Sequence, residues 1–147
     1  MTKASLDKET FIALLDVLIP ARDESLPGAG SLGIGDALEA ELGESIALVA
    51  EGLAALDEKA QASGFSSFAG LPAERRTTPV NEVAVAIPGF VEVLTYHAYG
   101  FYYGDPRVVV ALGLKAEPAY PGGYELEPGN LAKLDTVRQS GKLYREV

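Results

Sequence analysis

His97 is the only imidazole in the chain, and it sets the first limit on chemistry. One histidine cannot supply the two or three imidazole ligands of the common catalytic zinc sites, and a Ser-His-Asp relay could use only this ring. It stands at helical spacing from Phe90, Val93, Leu94 and Phe101. That placement predicts an imidazole on an apolar helix face, hydrogen-bonded to a neighbouring tyrosine or carbonyl, rather than a general base. Ser31, Ser45 and Ser63 lie in no G-x-S-x-G elbow, so serine-hydrolase chemistry has no anchor. The chain has no cysteine, which excludes disulfides, thiolate metal sites, iron–sulfur clusters and thiol nucleophiles. Gly28-Ala29-Gly30-Ser31-Leu32-Gly33 spells the dinucleotide fingerprint. That fingerprint works only after a strand and inside a βαβ unit, whereas here a helical pattern and a loop precede it, so a plain glycine turn is expected.

The acidic residues carry no catalytic signal of their own. With 21 acids against 12 basic residues almost any carboxylate pair can be nominated for glycoside chemistry, and sequence gives no separation between them. Glu39, Glu41, Glu44, Glu51, Asp57 and Glu58 are expected on the solvated face of a long helix. No D-x-[DN]-x-[DN]-G calcium loop occurs. The net charge of −9 repels phosphate backbones and anionic lipid, which argues against nucleic-acid binding.

The elements that would hold these residues read as helices. Phe11, Leu14, Leu15 and Leu18 recur at helical spacing, Ser5 or Asp7 can cap the start, and Pro20 forbids continuation. Pro27, Gly28, Gly30 and Gly33 mark residues 20–35 as an irregular loop. A long helix is expected from Asp36 to about Ser63, with Gly43 and Gly52 as bends and Gly64 at its left-handed cap. A short charged helix follows Leu71-Pro72, the next begins near Pro79, and Pro88-Gly89 predicts a kink or break before the aromatic run Tyr96 to Tyr103. Val108 to Leu112, after Asp105-Pro106, could be a helical turn or a strand; helix is favoured. Beyond Gly113, prolines and glycines predict a tail docked through Tyr120, Tyr124 and Leu126 or wrapped on a partner. The whole is read as one all-α domain over 1–147, an irregular multi-helix unit with long Gly/Pro-rich loops and a docked C-terminal tail. The chain's 147 residues are enough to bury a real core.

No window approaches the ~18 uncharged apolar residues of a membrane span. The first eight residues lead into an amphipathic stretch rather than a signal-peptide core, so the chain as given is expected in the cytoplasm. The periplasm is the alternative if an export leader was removed or a partner carries one. The tyrosines at 96, 99, 102 and 103 fit core packing and a partner-facing surface alike.

The loop and the aromatic segment together resemble a family. Phe11, Leu14-Leu15, Leu18-Ile19-Pro20, Asp23, Pro27-Gly28-Ala29 and Gly33-Ile34 resemble the helix, I-P, acidic, P-G-A, G-[VI] opening of gluconate 2-dehydrogenase subunit 3 proteins. Phe101-Tyr102-Tyr103-Gly104-Asp105-Pro106, Leu112-Gly113 and Pro121-Gly122-Gly123-Tyr124 are similar to their aromatic, D-P, L-G and glycine-rich close. The resemblance implies a small non-catalytic subunit of a membrane-associated flavin sugar dehydrogenase. A separate large flavoprotein subunit would hold FAD, another would carry haem, and no cofactor-binding residue would lie in this chain. Members commonly open with a twin-arginine leader, whereas the only adjacent arginines here, Arg75-Arg76, are internal.

The expected contact residues on the flavoprotein are Pro20, Asp23, Pro27, Gly28, Tyr99, Tyr102, Tyr103, Tyr120 and Tyr124. The rival expectation is a small stand-alone enzyme or ligand-binding domain, with His97, Asp23 and Arg22 around one pocket. A third is a homo-oligomer paired through the aromatic patch.

Overall fold

The computed structural model describes residues 6–22, 25–117, 120, 123 and 129–141. The chain forms two compact units, Met1–Ala116 and Glu117–Val147. The described residues are all-α, with seven α-helices and no strand.

The first unit opens with α1 (Lys8–Leu18). The Asp7 carboxylate accepts the Thr10 amide at 2.9 Å, a cap that stabilises a helix by about 1 kcal/mol. Phe11, Leu14 and Leu15 are buried on one face. The expected single helix from Asp36 to Ser63 is two helices, α2 (Gly35–Glu41) and α3 (Ile46–Ala62), joined by a 3-10 turn over Gly43–Ser45. Gly43 causes the break, because its φ of +52° lies in the left-handed region and cannot continue a helix. Gly52 bends nothing; it leaves room for the Phe90 ring, which packs where a side chain would stand.

The end of α3 matches expectation. The Phe65 amide donates to the Ala60 carbonyl at 3.0 Å and the Gly64 amide to Gln61 at 2.9 Å, a Schellman closure with Gly64 at φ +86°. A 3-10 turn, Ala73–Arg75, replaces the expected short charged helix. Next come α4 (Thr77–Ala86), a break at Pro88-Gly89, α5 (Phe90–Gly104) and α6 (Pro106–Ala111). Residues 108–111 are therefore helical, with Asp105 as N-cap and Pro106 in the first turn.

Helix α3 is central, packing against α1, α4 and α5, while α1 and α5 both contact the turn Ala29–Leu32. Phe68, Phe90, Leu14, Leu15, Leu38, Leu53, Leu56 and Leu94 are fully buried. At ~1.5–3 kcal/mol for each fully buried large apolar side chain, this cluster supplies the main favourable term of the fold. Asp57 is a polar joint inside it. Its Oδ1 accepts the Thr10 hydroxyl and the Phe68 amide, each at 2.8 Å. The expectation that Asp57 faces solvent is thereby corrected: it ties α1 and the 65–71 loop to α3, and two donors would otherwise be left without partners.

In the second unit a 3-10 turn, Leu131–Leu134, is capped by the Asn130 side chain and leads into α7 (Asp135–Gln139). Tyr120, expected as an anchor, is 86% exposed, an environment its hydroxyl tolerates. Tyr124 and Leu126 lie outside the described residues.

Candidate functional site

The loop between α1 and α2 is fixed by side chains that come to it from both ends of the unit. Asp16, on α1, accepts the Gly30 amide through Oδ1 at 2.8 Å. A Cβ at Gly30 would meet the Ile12 carbonyl at 2.5 Å and Asp16 Oδ2 at 2.7 Å, and a Cβ at Gly28 would also collide with the Asp16 carboxylate. The glycines of the fingerprint-like segment therefore admit the chain's own carboxylate where a dinucleotide fold would place a pyrophosphate. From the other side, the Tyr102 hydroxyl donates to the Pro27 carbonyl at 2.9 Å, and Arg107 Nη2 donates to the Leu32 carbonyl at 2.7 Å.

Arg107 is itself held as a fork on Asp105, with Nε to Oδ1 at 2.9 Å and Nη2 to Oδ2 at 2.7 Å. The Arg107 hydrogen bond holds the Asp105 carboxyl below its ordinary 3.8. Partial burial opposes the shift, and the amides of Arg107 and Val108 reinforce it. One carboxylate thus caps α6 and aims the guanidinium at the loop.

On this clamped frame lies a groove of about 460 Å³ between the C-terminal end of α1 and one face of α5. Of the expected contact residues, Pro20, Tyr99, Tyr102 and Tyr103 line it together, joined by Leu18, Ile19, Ala21, Arg22, Leu26 and Leu112. Tyr99 and Tyr103 are 47% and 51% exposed and meet edge to face at 5.8 Å; Tyr102 and Tyr103 do so at 5.1 Å.

Two of the expected contacts are corrected. Tyr102 is 3% exposed, and its hydroxyl is engaged by Pro27, so it serves as the floor and a tether. Gly28 is buried against Asp16 and presents no surface. Pro27 is half-buried and contributes its carbonyl. Asp23 lies outside the described residues.

His97 and Arg22 do not share a pocket. His97 lines a separate open groove of about 590 Å³ with Glu41, Tyr96, Tyr99, Gly100 and Phe101. Five residues separate His97 from Tyr102, about 140° around a helix, so the imidazole points off a different face from the Arg22 groove. The ring meets Tyr96 edge to face at 5.3 Å and makes no hydrogen bond among the described residues, where a bond to tyrosine or carbonyl was expected. The ring is half-buried.

Two of the three serines are occupied locally: Ser31 Oγ donates to the Gly28 carbonyl and Ser63 Oγ to the Lys59 carbonyl. Among the described residues no three His, Cys, Asp or Glu side chains are grouped to hold a metal, and no helix is long and apolar enough to cross a membrane. Sequence reading missed a polar groove of about 470 Å³ between α3 and α4, where Lys59 pairs with Glu82 at 2.5 Å beside Glu74 and Arg75. These charges come from α3, α4 and the 73–75 turn, with no motif spacing to announce them.

The family model described as gluconate 2-dehydrogenase subunit 3 matches residues 6–120. No curated protein and no solved structure matches the chain. The match takes in α1 through α6, together with the clamped loop and the tyrosine groove that the opening and closing motifs frame, and on that extent the chain belongs to the gluconate 2-dehydrogenase subunit 3 family.

Proposed function

We propose that this chain is a non-catalytic accessory subunit of a flavin-dependent sugar dehydrogenase of the glucose–methanol–choline type, aiding assembly or stability of the large subunit. FAD belongs to that partner. The observation that carries the reading is the family membership over residues 6–120. The exposed tyrosines of α5 agree with it, since Tyr96, Tyr99 and Tyr103 present rigid amphipathic area of the kind that concentrates at interfaces. The partner's location decides this chain's location, cytoplasm or periplasm.

Co-purification of the tagged chain from its native extract, with mass spectrometry and an absorbance scan for flavin, tests the proposal. A stoichiometric flavoprotein partner is expected. A colourless chain recovered alone at abundant native expression refutes a stable complex and turns attention to the His97 groove as a stand-alone site. A mass that rises with concentration in the absence of other proteins would mark a homo-oligomer instead.

A further inference from the structure

The groove beside Arg22 has a chemistry of its own. Its walls are aliphatic and aromatic, from Leu18, Ile19, Leu26, Tyr99, Tyr103 and Leu112, and Arg22 is the one charged residue among the described residues of its lining. The chain carries −9, so a cation at the rim of an apolar slot is set against the prevailing charge. The Arg22 amide is used locally, donating to the Leu26 carbonyl at 3.1 Å, which fixes the backbone at the rim. Its exposed guanidinium makes no hydrogen bond or ion pair among the described residues. By contrast Arg107 and Arg138 sit on carboxylates, and Arg76 sits on the carbonyls of Leu71 and Ala69. The tyrosine walls are preordered by their mutual edge-to-face packing, which lowers the ordering cost of an incoming segment.

The geometry points to a specific occupant: a segment of the large flavoprotein subunit that lays apolar side chains between Leu112 and the Tyr99–Tyr103 wall and sets a carboxylate on Arg22. This rests on the accessory-subunit reading and deepens it. Charge complementarity selects the occupant. A guanidinium presents a planar donor fork that fits a carboxylate bidentately, and at the edge of an apolar slot such a pair fixes register as well as adding attraction. A second copy of this chain is disfavoured by repulsion between two bodies of −9 each.

The test uses the native complex. A photo-crosslinking phenylalanine analogue replaces Tyr103 in the groove or, as a control on α4, Val85, which is 83% exposed. Crosslinked peptides are then read by mass spectrometry. The expected result is a Tyr103-position adduct to one flavoprotein segment with apolar residues next to an Asp, a Glu or the chain terminus, and none from the Val85 position. In parallel, Arg22→Glu lowers affinity for the purified flavoprotein at least tenfold, and Arg22→Lys, which keeps the charge but not the fork, loses less than Arg22→Glu.

Flavoprotein adducts from Val85 but not Tyr103 would leave the subunit reading standing and overturn the groove. Adducts from Tyr103 to this same chain, or an Arg22→Glu variant that binds like wild type, would overturn it too. No adduct at either position, with no flavoprotein co-purified, would sink both readings together.

Discussion

Gly52 and Gly100 both lie inside helices, in α3 and α5, and the same substitution should move stability in opposite directions at the two sites. A methyl built at Gly52 lies 2.5 Å from Phe90 Cγ and closer still to Cδ2 and Cε2. That is about 1 Å inside the ~3.5 Å of a favourable carbon contact. Phe90 has no exposed surface, so its ring cannot swing into solvent, and the overlap must spread into packed neighbours. Overpacking of this kind costs ~1–3 kcal/mol, and a sealed ring belongs at the upper end. Alanine returns about 1 kcal/mol of helix propensity, leaving Gly52→Ala about 2 kcal/mol less stable. At ~2–4 °C per kcal/mol for a chain of this size, Tm falls by about 4–8 °C.

A methyl at Gly100 meets nothing within 4 Å, so there the propensity acts alone and Tm rises by about 2–4 °C. Thermal melts followed by circular dichroism, checked by urea titration, measure both. A Gly52→Ala protein as stable as wild type, or two shifts of the same sign, would refute the packing argument. A further check is coupling. The Gly52→Ala/Phe90→Leu double variant should lose at least ~1 kcal/mol less than the two separate losses added together, because the smaller side chain removes the overlap.

Asp57→Ala strands the Thr10 hydroxyl and the Phe68 amide and should cost about 3 kcal/mol in urea unfolding, whereas Asp57→Asn, which keeps an acceptor oxygen, should cost about half as much. Tyr102→Phe removes the bond to the Pro27 carbonyl and should cost about 1 kcal/mol, with hydrogen exchange accelerated at residues 27–32 more than in α3. Asp105 has a lowered folded pKa, so its stabilising effect is present above 3.8 and is lost as pH falls through the depressed value. The stability gap between wild type and Asp105→Asn should stay level near neutrality and close in acid, and a gap that widens in acid would reverse the assignment.

The helices were legible because their periods and punctuation are local. Asp7, Gly64, Gly89 and Asp105-Pro106 each act within one turn of chain, and each ends or begins a helix where its chemistry requires. Gly43 and Gly52 looked alike in sequence, but one takes a positive φ and the other makes space for a ring 38 residues away, a distinction only packing makes. Asp57 was misread for the same reason, and Asp16 carried no signal at all. Asp16 and Asp57 carry the same charge as the solvated Glu51 and Glu58, and they differ only in which distant amides and hydroxyls the fold brings to them. Half of the tyrosine cluster's character was foreseeable: helical spacing put Tyr99, Tyr102 and Tyr103 together, while the burial of Tyr102 depended on the Pro27 carbonyl arriving opposite it. The separation of His97 from Arg22 follows from helix rotation once α5 is known to run unbroken from Phe90 to Gly104.

The two ties that close the early loop, Pro27 to Tyr102 and Leu32 to Arg107, each span 75 residues. At ~5–20 residues per second of synthesis, Leu32 precedes Arg107 by about 4–15 s. For that interval the segment from α1 to the turn at Ala29–Leu32 exists without its fasteners. Its apolar face of Phe11, Leu14 and Leu15 then has only the later helices to wait for, which makes the nascent chain, rather than the finished subunit, the form of this protein most in need of a chaperone's cover.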